Sequence, residues 1–191
     1  MTIAHLRRLR RMRQHAARGS ITVLAAITLY AVVLLGIVAW AGIQEGADHT
    51  LITRLLADAA YDASHRTADA ADVSGTPALI CLDPACAPVT CPTAFTDDPN
   101  GATAAGRACR ALRQGLAGAY PGAHARLDVA ATLAVTRVWT LAPDDRDPED
   151  AARVYHYPTV CLSADPSIGV LAHDGLAFRH HIHACAQAVY R

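Results

Sequence analysis

The sequence predicts an α+β protein. A long N-terminal transmembrane helix runs on into an extracytoplasmic domain that holds a second helix and a small antiparallel β-sheet, stabilised by disulfides. Three observations predict this. The 22 residues from Ile21 to Gly42 carry no charge; all six cysteines lie beyond them; and past residue 100 the apolar spacing changes from helical to alternating. The expected organisation is a cytoplasmic Arg-rich leader (1–19), the transmembrane helix (20–43), an extracytoplasmic helical extension (44–74) and a Cys-containing α+β domain (75–191).

A helix over Ile21 to Gly42 reaches roughly 33 Å, enough to cross a hydrocarbon core of about 30 Å. The charge balance gives it a direction. Formal net charge is zero, yet six of the seventeen basic residues are Arg7, Arg8, Arg10, Arg11, Arg13 and Arg18, with no acid among them. The other eleven Arg and all seventeen acids lie at Glu45 or beyond. The positive-inside rule then leaves the N-terminus in the cytoplasm and the rest of the chain outside, with Trp40 at the outer headgroup layer. A cleaved signal is the competing reading, since Ala39-Trp40-Ala41 has the A-x-A form. The apolar run is longer than the 7–15 residues usual for such a signal, which favours a retained anchor. The chain has no Lys, which excludes a P-loop ATPase, a Schiff-base enzyme and a Lys-dependent kinase site. The acidic balance beyond the leader excludes nucleic acid as a partner there.

Cys81, Cys86, Cys91, Cys109, Cys161 and Cys185 are disulfide candidates, an even number on the side facing an oxidising compartment. Fifteen pairings are open. Each bridge contributes roughly 2–4 kcal/mol to a domain with only 5% aromatic residues.

Past the membrane a helix is expected to continue from Gln44 to about Asp72, with Leu51, Leu55, Leu56, Ala59 and Ala63 as its apolar stripe, until Gly75 and Pro77 stop it. Leu51, Leu55 and Leu56 form a candidate docking face for another helix; the same stripe equally suits packing on the protein's own sheet. Gly75 to Gly101 reads as an irregular loop broken by Pro77, Pro84, Pro88, Pro92 and Pro99 and held by cysteines. A helix is expected over Ala104 to Ala119, capped by Thr103, with Ala105, Cys109, Leu112 and Leu116 inward.

The remainder reads as sheet. Leu127, Val129, Ala131, Leu133 and Val135 alternate with Asp128, Ala130, Thr132 and Ala134. Pro143 to Asp150 reads as a solvated acidic loop. Arg153 to Leu162 reads as a strand near an edge, because Pro158 cannot donate to a ladder. Asp174-Gly175 marks a hairpin turn. The last strand is expected to place Leu176, Phe178 and Ile182 on one face.

His181 and His183, with Cys185 next along that strand face, form the candidate metal set; imidazole and thiolate suit zinc or copper. Their spacing matches no closed site, and no acidic partner stands at a fixed distance, so the plainer expectation is a histidine pair beside a disulfide, with no metal and no cofactor. Ser64, Ser74, Ser163 and Ser167 sit in no G-x-S-x-G elbow. The run Asp144, Asp145, Asp147, Glu149, Asp150 lacks the glycine and ligand spacing of a calcium loop. No catalytic residues and no small-molecule substrate are expected.

The first third of the chain resembles the TadE/TadG-like proteins of tight-adherence (Flp) pilus systems. The likeness lies in the leader ending Arg18-Gly19-Ser20, the apolar helix, and Leu55-Leu56-Ala57-Asp58-Ala59-Ala60-Tyr61-Asp62-Ala63, which is similar to the family's alanine-rich "LQNAADAAALAA" segment. The resemblance implies a single-pass envelope protein related to minor pilins, whose partners are the membrane and other pilus assembly proteins. Gly19 and Ser20 mark the candidate processing site. Processed members carry Glu five residues after the glycine; Leu24 stands here, which implies an unprocessed anchor and argues against a major filament subunit. The alternative from another class is a membrane-tethered metal-binding or sensory domain.

Overall fold

The computed structural model describes residues 3–74, 87–122, 126–169 and 177–188, with the side chains of the first stretch described over 23–65. Helix α1 covers Ile3–Ser74, and the chain divides into two compact units, Met1–Gln44 and Glu45–Arg191. In the first unit the apolar side chains from Val23 to Ile43 are exposed around the helix; Leu35 is 69% and Trp40 64% accessible. This helix is long and apolar enough to span a membrane.

The second unit is an α+β layer structure. Its helices are the later part of α1, then α2 (Cys91–Asp97), α3 (Ala104–Ala119) and α4 (Val129–Val135). Its strands are β1 (Val89–Thr90), β2 (Arg137–Leu141), β3 (Thr159–Ala164), β4 (Ser167–Gly169), β5 (Ala177–Arg179) and β6 (Ile182–Gln187). An antiparallel sheet has the order β1-β2-β3-β6, and β4 pairs with β5 separately. The helices cover one face. Ile52, Leu56, Ala59, Ala60 and Ala63 of α1 join Leu112 and Leu116 of α3 and Val138, Val160 and Leu162 of the sheet in one core. That stripe follows helical spacing, and its alanines let elements approach closely. Gly115 serves the same end: a Cβ there would lie 2.8 Å from Leu55 Cδ2.

The expected helix over Ala104 to Ala119 is present at those bounds, with Thr103 Oγ1 accepting from the Gly106 N–H at 3.0 Å. The Thr103 hydroxyl donates to Asp98 Oδ2 (2.7 Å), which also accepts from the Thr103 N–H, while Asp98 Oδ1 accepts from the Ala102 N–H. Burial raises the Asp98 pKa, but these donors outweigh it and hold the carboxyl at about 2. Gly106 is required here, because a Cβ would collide with the Asp98 carboxylate.

Five expectations need correction. Residues 129–135 are helix α4 and not a strand: Asp128 caps it by accepting from the Ala131 N–H (3.0 Å), and its alanines favour helix over the alternation they satisfy by being weakly apolar. The loop over Gly75 to Gly101 contains β1 and α2, because Pro92 falls at the helix start, where its missing N–H costs nothing. Strand β3 begins at Thr159, after Pro158, and is central, with all six residues buried between β2 and β6. The expected last strand is two strands in different sheets, with Phe178 on β5 and Ile182 on β6. The stretch 45–65 is no separate extension but part of the domain's compact unit: Leu56 is fully buried and Leu55 packs against the core, while Leu51 is 38% exposed. The stripe therefore serves the protein's own core, and Leu55 and Leu56 are not a free docking face.

Cys91 pairs with Cys109, joining α2 to α3, and Cys161 pairs with Cys185 across β3 and β6. Cys81, Cys86, Gly75, Pro77 and the Asp174-Gly175 turn lie outside the described residues, as do the side chains of Gly19 and Ser20.

Candidate functional site

The helix-free face of the sheet carries the densest polar cluster among the described residues. Trp139, Cys161 and Cys185 stand opposite one another across β2, β3 and β6. Two residues from Cys185 on β6, His183 projects from the same face, its ring 6.2 Å from that of Trp139 in an edge arrangement. The segment between β2 and β3 folds over this face. Leu141, Tyr155 and Cys161 form a second small core there, and an Arg146–Val154 bridge fixes the segment. Asp147 Oδ1 accepts from the N–H groups of Glu149 (2.9 Å) and Asp150 (3.2 Å), a turn that sets the Glu149 side chain beside β6.

From Pro143 to Asp150 this segment is the exposed acidic loop the composition suggests at nearly every position, with Asp147 as its one buried residue. The Asp147 side chain is only 1% exposed. Its Oδ2 accepts from the Tyr155 hydroxyl at 2.6 Å, and its Oδ1 lies 3.0 Å from His183 Nε2. Burial acts to raise the Asp147 pKa, but the Tyr155 hydroxyl, the Glu149 N–H and His183 prevail and lower it. Burial and the neighbouring carboxylate push Tyr155 up to about 12. Cys185 Sγ lies 3.1 Å from His183 Nε2.

His181 stands just before β6. Its Nε2 is 2.7 Å from Glu149 Oε2 and its Nδ1 2.8 Å from Asp165 Oδ1. Hydrogen bonding to Glu149, then to Asp165, raises its pKa. His183 Nδ1 faces the same Glu149 oxygen at 3.2 Å. That nitrogen is buried and off the hydrogen-bond line.

The structure thus brings together His181 and His183 as the strand pattern suggested, but it removes Cys185 from the ligand set: bonded to Cys161, it offers no thiolate. The groups the sequence reading missed are Glu149, Asp147, Asp165 and Tyr155. Only the density of acids near residue 147 hinted at them, because their approach depends on how the segment folds back over the sheet. Ser64 donates to the Tyr61 carbonyl within α1 (3.0 Å), and Ser163 lies within buried β3.

A second polar group ties α1 to later segments of the domain. Asp48 accepts from the Tyr120 hydroxyl (3.0 Å) and pairs with Arg126 (3.0 Å), and Glu45 pairs with His180 (2.8 Å). Burial, then the Asp48 charge, raises the Tyr120 pKa. These contacts fix the start of the 45–65 stretch within its own unit.

No family model matches the chain, and no curated protein or solved structure matches it.

Proposed function

We propose that this chain is a single-pass membrane protein of the cell envelope, anchored by Val23 to Ile43, with its leader in the cytoplasm and the domain from Glu45 onward outside it. It acts through protein–protein contacts as a minor pilin-like or pilus assembly component and catalyses no reaction. The observation that carries the reading is the helix surface from Val23 to Ile43, where Leu, Ile, Val, Tyr and Trp side chains are exposed around the helix. Such a surface suits lipid or another apolar helix, not water. The six leader arginines supply orientation, and bridged cysteines suit an oxidising compartment. The pilus assignment rests on the likeness of the leader, helix and alanine-rich segment to TadE/TadG-like proteins. Leu55 and Leu56 are used inside the domain, so contact with a neighbouring pilin-like helix falls to the 23–43 stretch.

Photo-crosslinking from Leu35 in intact cells tests the assignment. Crosslinks to a pilus assembly protein are expected. Crosslinks to lipid alone would leave an anchor and defeat the pilus reading.

A further inference from the structure

We propose that His181, His183 and Glu149 form a binding site for a divalent transition-metal cation of the zinc or copper class. Asp165 and Asp147 act behind them as positioning residues, one for each imidazole. The inference stands apart from the pilus reading, since it concerns only the folded domain.

The argument begins with the count of protons. Each imidazole lies between two carboxylates. His181 has Asp165 at one nitrogen and Glu149 at the other; His183 has Asp147 and the same Glu149 oxygen. A neutral imidazole has one N–H and one lone pair, so it satisfies one carboxylate and turns a lone pair toward the other. With the N–H groups on the Asp165 and Asp147 sides, both lone pairs converge on Glu149 Oε2. Protonated rings would instead donate to both carboxylates, and a divalent cation would then take the place of the two protons that point at Glu149 Oε2, with no net change of charge at the site.

The separations of each nitrogen from the carboxylate, and the burial of His183, agree. Ligand atoms about 2.0–2.1 Å from a tetrahedral zinc stand about 3.3 Å apart. The observed nitrogen-to-oxygen separations are 2.7 and 3.2 Å. His183 Nδ1 is buried and, although 3.2 Å from Glu149 Oε2, makes no well-aligned hydrogen bond, which leaves that atom short of a ligand. The His183 side chain is 17% exposed and held by Asp147, whereas His181 is 56% exposed and free to adjust as an ion enters. Each ring has the carboxylate behind its distal nitrogen that orients and strengthens a metal-bound imidazole. On the His183 side the relay is one step longer, because Tyr155 donates to Asp147. Two imidazoles and one carboxylate suit zinc, copper or nickel better than calcium or magnesium.

The thiolate alternative has its own geometry. Asp147, His183, Cys161 and Cys185 place ligand atoms within 4.8 Å of one another, but the two sulfurs become ligands only after a dithiol reductant supplies two electrons and two protons to the Cys161–Cys185 bond. The site proposed here needs no reduction.

The test uses the full-length, oxidised protein in detergent, titrated with Zn²⁺ against a chromophoric chelator, and with Cu²⁺ followed by electron paramagnetic resonance. The expected result is one equivalent bound, with hyperfine splitting from two imidazole nitrogens. Binding at this site should be lost in Glu149→Gln and in His181→Ala, and weakened about 10–100-fold in Asp165→Asn. His156→Ala, at an exposed pair with Asp144, should change nothing. Circular dichroism of each variant separates lost binding from lost folding. The proposal is overturned if oxidised protein takes up neither ion in stoichiometric amount. It is equally overturned if uptake survives in folded Glu149→Gln and His181→Ala proteins, or if uptake appears only after reduction.

Discussion

Two stretches of α1, 23–43 and 45–65, are both helical and rich in apolar residues, yet they meet opposite surroundings. The first is apolar around its whole circumference and leaves those side chains exposed. The second interrupts its apolar residues with Asp48, Arg54, Asp58 and Asp62, and buries Ile52, Leu56, Ala59, Ala60 and Ala63. What decides the environment is the arrangement of charge, not apolar content. A helix without charges has no face to offer water, whereas a charged face commits the opposite one to a protein core.

The largest effect should follow from placing a charge in the first stretch. Val33→Arg puts a cation at the middle of the apolar segment, at a cost of roughly 2.5–3.5 kcal/mol on insertion scales. Alkaline carbonate extraction should then move the protein from the membrane pellet to the supernatant. The same substitution on the exposed side of the second stretch, Asp58→Arg, should leave the membrane fraction unchanged.

Next is Leu56→Ala. Leu56 is fully buried, so truncation should destabilise the domain by about 2–5 kcal/mol in denaturant unfolding. Leu51→Ala, at a side chain 38% exposed, should cost well under half as much. Equal losses would mean that the stripe is not divided between core and surface in the way described.

Asp98 offers a smaller, pH-dependent test within the domain. Its folded pKa of about 2 lies below the usual 3.8 of an aspartate. The stabilisation, about 2 kcal/mol, is therefore complete above roughly pH 4 and is lost as pH falls through about 2. The stability difference between wild type and Asp98→Asn should be constant from pH 5 to 7 and shrink on approach to pH 2. A difference that instead grew in acid would contradict the network of donors around this carboxylate.

How much of this was legible in the sequence varied by element, for physical reasons. Helix α3 was readable to the residue because Thr103 announces the cap and Ala105, Cys109, Leu112 and Leu116 keep strict helical spacing. Residues 129–135 were not, because alanine satisfies both periods and the deciding feature is the Asp128 cap. Pro158 suggested an edge strand running from Arg153 to Leu162, but the strand starts only after it, at Thr159, and lies at the centre of the sheet. The division of α1 was legible as a change of pattern, yet the choice between an outside partner and the protein's own core required the rest of the domain. Of the histidine pair, the face of His183 beside Cys185 could be read from β-strand alternation, while His181 stands just before the strand. The pair's carboxylates could not be read, since Glu149 and Asp165 reach His181 across 32 and 16 residues of sequence.

The disulfides give a test in covalent chemistry and not in energy. Alkylation of unreduced, denatured protein should leave Cys91, Cys109, Cys161 and Cys185 unmodified in the mass spectrum. Labelling at Cys161 and Cys185 would remove the bridge behind His183.

In the proposed function one helix holds the protein in a membrane while a folded domain stands outside the cytoplasm. The most direct measurement is carbonate extraction followed by protease treatment of sealed vesicles of both orientations, with intact mass of the products. The account predicts full-length protein in the membrane pellet and protease access to the domain only from the extracytoplasmic side. Full-length protein in the soluble fraction, or cleavage of the domain from the cytoplasmic side, would contradict it.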